Sequence, residues 1–177
     1  MPSYLFAKLS ARMPAADRPF IETPTGRVIT YGDLVAGTGR IANALVARGV
    51  GPGDRVAVQV EKSPEAVMLY LACLRAGAVF LPLNTAYTLA ELDYFLGDAE
   101  PALVVCDPRS REGLVPVAER YGARVDTLDG AGKGSLTERT AGEEPDFTDV
   151  ERGADDLAAI LYTSGTTGRS KGAMLSH

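Results

Sequence analysis

The 177-residue sequence is poor in the side chains that build metal centres and nucleophile triads: it carries one histidine, His177, and two cysteines, Cys73 and Cys106. His177 has no cysteine or serine partner in reach by sequence, which leaves a zinc site or a nucleophile triad nothing to build on. The cysteines stand apart in apolar surroundings with no CxxC spacing. They read as two reduced core thiols, in keeping with the cytoplasm. No apolar run approaches the ~18 residues of a membrane span, and Met1 to Lys8 lacks the charged segment and long apolar stretch of a secretory signal, so neither insertion nor secretion is expected. Positive charge is short as well. Eighteen Lys and Arg against 23 Asp and Glu leave a net charge of −5, and without a basic stripe to neutralise backbone phosphates nucleic acid is excluded as the main partner. What remains, 46% hydrophobic and 23% charged residues, is an ordinary globular composition, and the length suits about one domain.

The most specific chemistry lies between Tyr162 and Gly172, where Tyr-Thr-Ser-Gly-Thr-Thr-Gly-Arg-Ser-Lys-Gly follows an apolar strand. Glycines let the backbone turn so that successive N–H groups point at one anion. Thr163, Ser164, Thr166 and Thr167 add hydroxyl donors, and Lys171 adds a full positive charge. The pattern predicts that a polyanion, ATP foremost, is held here. Spacing separates it from other nucleotide loops. A Walker loop needs Gly, four residues, then Gly-Lys-Ser/Thr, whereas Ser170 precedes Lys171 and Gly172 follows it. A dinucleotide fingerprint needs G-x-G-x-x-G, whereas these glycines fall at 165, 168 and 172. Gly172 to Ser176 reads as another strand, so the loop joins two strands. A Gly/Thr-rich hairpin without ligand is the alternative, and the density of donors disfavours it.

Along the rest of the chain, helices and strands alternate. A helix is predicted from about Tyr4 to Ala11, then short strands at Phe20 to Thr23 and Arg27 to Ile29 around the turn Pro24-Thr25-Gly26. Thr30 caps a helix whose apolar face is Leu34, Ile41, Leu45 and Val46, with Gly49 placed for a left-handed exit. Arg55 to Val60 is a strand; Ser63 and Pro64 start a helix that runs to Gly77 and is apolar on most sides, hence buried. Ala78 to Pro82 is a strand. Thr88 and Glu91 form a capping box ahead of Leu92, Phe95 and Leu96. Ala102 to Cys106 is a continuous apolar strand of the kind covered on both faces. A weaker helix from Gly113 to Tyr121, a strand from Arg124 to Leu128, a short helix capped by Ser135 and Glu138, and a polar connection over 141–153 complete the order. The expected fold is a layered α/β domain: a largely parallel sheet flanked by helices, with the loop at a strand's carboxyl end.

The segment Asp156 to Gly172 resembles the phosphate loop of the adenylate-forming enzymes, which include acyl-CoA synthetases, luciferases and peptide-synthetase adenylation domains. Leu74-Arg-Ala-Gly-Ala-Val-Phe-Leu-Pro-Leu-Asn84 is similar to an earlier core motif of that family, at the expected distance upstream. Within the family, Leu83 to Phe95 with Asp98-Ala-Glu-Pro after it looks most like malonyl-CoA and methylmalonyl-CoA synthetases. The resemblance covers essentially residues 1–177, and implies the N-terminal subdomain of the family's large domain, cut just after the phosphate loop. It implies an acid:CoA ligase that uses ATP with Mg2+, makes an acyl-adenylate and pyrophosphate from malonate or methylmalonate, and then passes the acyl group to CoA. It assigns Thr163, Ser164, Gly165, Thr166, Thr167, Gly168, Arg169, Ser170 and Lys171 to the nucleotide, with Thr163 and Lys171 in catalysis. Many relatives carry proline where this chain has Ser170. The adenine, ribose and acid-selecting elements of the family would lie beyond His177, so the 177 residues alone are expected to be inactive.

Other features are read more plainly. Gly130-Ala-Gly-Lys-Gly134 mimics a phosphate cradle but is expected to be a surface turn. Asp155 and Asp156, being adjacent, point to opposite sides and suit a solvated turn better than a carboxylate pair. Asn84 and Tyr87 suit turn formation and packing. A free-standing nucleotide-binding or structural module is the alternative to a ligase, and a boundary directly after a phosphate loop speaks against it.

Overall fold

The computed structural model describes residues 3–163 and 170–177. The chain opens with helix α1 (Tyr4–Ser10) and a separate antiparallel hairpin, β1 (Pro19–Glu22) and β2 (Val28–Thr30). Helix α2 (Tyr31–Ala47) starts where expected: Thr30 Oγ1 accepts from the Asp33 N–H, and an Asp33 carboxylate oxygen accepts from the Thr30 N–H at 2.9 Å. Leu34, Ile41 and Leu45 are buried, but Val46 is 49% exposed. It follows Leu45 directly, and one residue turns the helix by 100°, which carries Val46 past the edge of the apolar stripe.

Five parallel strands form the centre of the domain: β3 (Arg55–Gln59), β4 (Val79–Pro82), β5 (Leu103–Cys106), β6 (Arg124–Thr127) and β7 (Leu157–Thr163), joined at the edge by antiparallel β8 (Lys171–Ser176). Between them run α3 (Pro64–Ala76), α4 (Leu89–Ala99), α5 (Arg111–Glu119) and α6 (Ser135–Thr140). The spatial order is β6-β5-β3-β4-β7-β8. Period-two alternation sends Val56, Val58, Leu103 and Val105 into a core shared with α1, α2, α3 and α6. Ala57, Val104 and Cys106 face the other way, against Leu92, Phe95 and Leu96 of α4 and Leu114 of α5. Both faces are covered, and the layered α/β expectation holds.

Ser63 accepts from the Ala66 N–H at 3.1 Å to start α3, and Gly77 ends it in the left-handed region, φ +70°. Thr88 and Glu91 form the expected box at α4. The cap of α6 differs from expectation. Gly134 precedes the helix, and Ser135 instead takes the Thr127 N–H on its Oγ at 2.9 Å while its own N–H donates to Thr127 Oγ1 at 2.9 Å. β6 is an edge strand whose open backbone competes for the hydroxyl. The connection over 141–153 lacks regular structure but is tied down. Asn43 Nδ2 donates to the Glu144 and Asp146 carbonyls at 3.0 and 2.9 Å, and a Cβ on Gly39 would collide with the Pro145 carbonyl oxygen. Among the described residues no helix is long and apolar enough to cross a membrane.

Candidate functional site

β7 and β8 pair antiparallel down to Thr163 and Lys171, directly opposite each other at the mouth of the connecting loop. Thr163 is exposed, and its Oγ1 lies 3.5 Å from the Lys171 carbonyl oxygen, a marginal contact. Lys171 opens β8 and is exposed, as are all six residues of that strand. Two of the expected donors thus stand together and open to solvent at the carboxyl end of β7. Ser170 is half-buried, and its carbonyl accepts from the Tyr94 hydroxyl at 2.9 Å. Ser164, Gly165, Thr166, Thr167, Gly168 and Arg169 lie outside the described residues.

The limbs of the hairpin lean on α4. Tyr162 donates from its hydroxyl to Asp98 Oδ2 at 2.5 Å, and its ring sits 4.6 Å from Phe95, centroid to centroid. Burial first, and then the bond to Asp98, push the Tyr162 pKa well above the usual phenol range, so it remains a donor at any physiological pH. At Gly172, opposite Tyr162, a Cβ would lie 2.9 Å from Ile160 Cγ2 and only in ordinary contact with the Tyr162 ring at 3.5 Å, so the glycine makes room for Ile160. Tyr94, Phe95 and Asp98 did not stand out in the sequence as site residues. Their signal was the four-residue spacing of Tyr94 and Asp98, which puts both on one face of a helix. Asn84 and Tyr87 take the plain roles expected: Asn84 Oδ1 accepts from the Ala86 N–H at 2.9 Å, and the Tyr87 ring stacks 4.8 Å from Phe95.

The other glycine-rich and carboxylate-bearing segments of the sequence suit phosphate poorly. A cavity of about 370 Å³ at the carboxyl ends of β3, β5 and β6 is lined by Glu61, Asp107, Arg109 and Asp129, and Arg109 is already bound to Asp107 at 2.8 Å. Three carboxylates against one committed cation repel phosphate. The 130–134 segment is a turn closed on itself, with Asp129 Oδ1 accepting from the Ala131 and Lys133 N–H groups at 2.9 and 2.8 Å. Asp156 accepts from the Gly153 N–H at 2.7 Å in another turn. His177 sits at the far end of β8 from Lys171, roughly 20 Å away at the usual rise per residue. Burial, and then the Arg152 guanidinium, lower its pKa. Among the described residues no three His, Cys, Asp or Glu side chains gather to hold a metal.

The described residues thus form a largely parallel sheet covered on both faces, with a glycine- and hydroxyl-rich sequence between the two strands of its edge hairpin. The chain belongs to the AMP-binding enzyme family, whose sequence pattern matches residues 8–177. It is 40% identical over 152 residues to a feruloyl-CoA synthase from Amycolatopsis, covering 86% of this chain and 29% of that protein. It is 34% identical over 175 residues to a long-chain-fatty-acid–CoA ligase from Mycobacterium tuberculosis, covering 97% of this chain and 33% of that one. The structure of apo MatB from Rhodopseudomonas palustris superposes with a TM-score of 0.95 at 60% identity, over 99% of this chain and 35% of that chain. MatB has also been solved with ATP bound, with the same identity and TM-score. The 177 residues therefore span about a third of the length of these relatives.

Proposed function

We propose that residues 1–177 are the N-terminal subdomain of the large domain of an ATP-dependent acid:CoA ligase and carry its phosphate loop. The observation that carries this reading is the hairpin mouth, where Thr163 and Lys171 face each other, open to solvent, at the two ends of a loop of donors. In the first step a carboxylate oxygen attacks the α-phosphorus of ATP; the bond to the bridging oxygen breaks and pyrophosphate leaves. In the second the CoA thiolate attacks the acyl carbon and AMP leaves. Thr163, Ser164, Gly165, Thr166, Thr167, Gly168, Arg169 and Ser170 would bind the β- and γ-phosphates, and Lys171 would offset the charge that grows on the leaving pyrophosphate. Hydroxyl, amide and ammonium donors suit such an anion. Mg2+ neutralises phosphate charge when bound. Thr163, exposed at the loop mouth, would offer the ion a hydroxyl oxygen.

For the acid we propose malonate or methylmalonate. Support comes from Leu83 to Phe95, which resembles malonyl-CoA synthetases, and from 60% identity to MatB against 40% and 34% to the feruloyl and fatty-acyl enzymes. A cytoplasmic location accompanies this reading. ATP–pyrophosphate exchange by the whole protein tests it. Exchange should be faster with malonate or methylmalonate than with acetate, and Lys171→Ala should slow exchange by about 10²-fold or more while sparing CoA transfer from preformed adenylate. Equal losses in both half-reactions would sink the role of Lys171. ATP binding without exchange for any acid would favour a non-catalytic nucleotide-binding module.

A further inference from the structure

Two tyrosine hydroxyls tie opposite limbs of the loop to one helix. On the incoming limb, Tyr162 donates to Asp98 Oδ2 at 2.5 Å; on the outgoing limb, the Ser170 carbonyl accepts from Tyr94 at 2.9 Å. Asp98 and Tyr94 are four residues apart on α4 and share its face. Phe95, beside them, fills the space between, 4.6 Å from Tyr162, 4.8 Å from Tyr87 and 5.3 Å from Tyr94. The helix itself is held rigidly: Thr88 and Glu91 lock its first turn, and Leu92, Phe95, Leu96 and Ala99 are buried. Among the described residues β8 has no strand on its outer side, and the ladder with β7 ends at Thr163 and Lys171, whose hydroxyl contact is 3.5 Å long.

We propose that Tyr94 and Asp98 are positioning residues for the phosphate loop. By pinning both limbs to α4 they set where the two ends of the 163–171 segment stand, and so the geometry in which its donors and Lys171 meet a triphosphate. Limbs that are anchored beforehand lose less conformational freedom when a ligand binds between them. The inference rests on reading the loop as an ATP site, and its signature is selective loss of apparent ATP affinity.

The test uses single-hydroxyl deletions in the whole protein. Tyr94→Phe and Tyr162→Phe each remove one hydrogen bond and leave ring packing in place. Each should raise the KM for ATP in pyrophosphate exchange about threefold to tenfold, the worth of one such bond. The KM for the acid and the rate of CoA transfer from preformed adenylate should stay within about twofold. Tyr121→Phe is the control. Its hydroxyl donates to Asp93 Oδ1 at 2.8 Å, on the same helix but away from the loop, and its loss should leave the ATP KM unchanged. An unchanged ATP KM in both loop-side variants, an equal rise in Tyr121→Phe, or matched losses in the two half-reactions would overturn the proposal. If the unsubstituted protein exchanges pyrophosphate with no acid, the ligase reading fails, and the same three variants are compared by their dissociation constants for ATP: a rise in the two loop-side variants but not in Tyr121→Phe supports the inference, and no rise in either overturns it.

Discussion

Arg75 joins helix α3 to α1, α2 and the 147–149 segment through one buried side chain. Its side chain is 7% exposed, and it donates to Asp149 Oδ1 at 2.6 Å, to Thr38 Oγ1 at 3.0 Å, and to the Val35 and Phe147 carbonyls at 3.1 and 3.0 Å. The Phe6 and Phe147 rings lie 4.9 and 5.7 Å from the guanidinium carbon. Arg75→Ala should therefore cost about 3–5 kcal/mol in urea unfolding, because Asp149, its side chain 15% exposed, loses its ion-pair partner. Arg75→Lys should recover only part of it, since an ammonium cannot serve this planar fork. A loss below about 1 kcal/mol would place the pair among surface ion pairs. The thiols make a second prediction at this scale. Burial pushes Cys106 up to about 11 and Cys73 further still, so both remain protonated at pH 8. Neither should react with a disulfide reagent in the native protein and both should react after unfolding; fast native reaction of either would contradict their burial. The two core thiols were legible in the sequence from their apolar neighbours. Arg75 was not, since its side-chain partners lie 37 and 74 residues away.

At the scale of elements, the helix starts were the most readable feature, because a cap is decided within four residues. Thr30, Ser63 and Thr88 all cap as their local sequence predicts. Ser135 does not, since its hydroxyl finds the backbone of β6 eight residues back. The capping boxes also set an acid response. Hydrogen bonds from Thr30 hold the Asp33 carboxyl below its ordinary 3.8, and bonds from Thr88 hold Glu91 below its ordinary 4.5. A folded pKa below the unfolded one means that the stabilisation is complete above the ordinary values and is lost as pH falls through them toward the folded ones. The unfolding free energy should thus fall with pH below about 5, less steeply in an Asp33→Asn/Glu91→Gln variant than in the unsubstituted protein. Equal slopes in thermal or urea titrations would remove the boxes from the acid response. The connection between β7 and β8 was legible at this scale too, as a donor-rich run between two strands; its attachment to α4 was not, because nothing local joins Tyr94 to Ser170.

At the scale of the molecule, the sheet closes on one side with an exposed edge. Every residue of β8 is exposed, and Met174, Leu175 and Leu161 are 75%, 45% and 38% open to solvent. Unpaired strand backbone beside apolar side chains favours association. The 177-residue chain by itself should therefore self-associate with rising concentration in sedimentation velocity, and Met174→Lys should reduce it. A chain that stays monomeric at high micromolar concentration, with or without the substitution, would refute an adhesive edge. In relatives about three times as long, more polypeptide is available to cover such a surface.

The sequence by itself determined the class of fold, the caps at Thr30, Ser63 and Thr88, the buried strands and the supply of donors between β7 and β8, since each rests on relations within one helical turn, one strand period or one short run of residues. Only the tertiary structure decided that β3 lies between β5 and β4, that Arg75 is an interior cation and Asp126 a fully buried anion shared by Arg48 and Arg139, and that α4 holds both limbs of the loop. Periodicity says which side of an element must leave water; which distant element covers that side is settled by packing the whole chain at once.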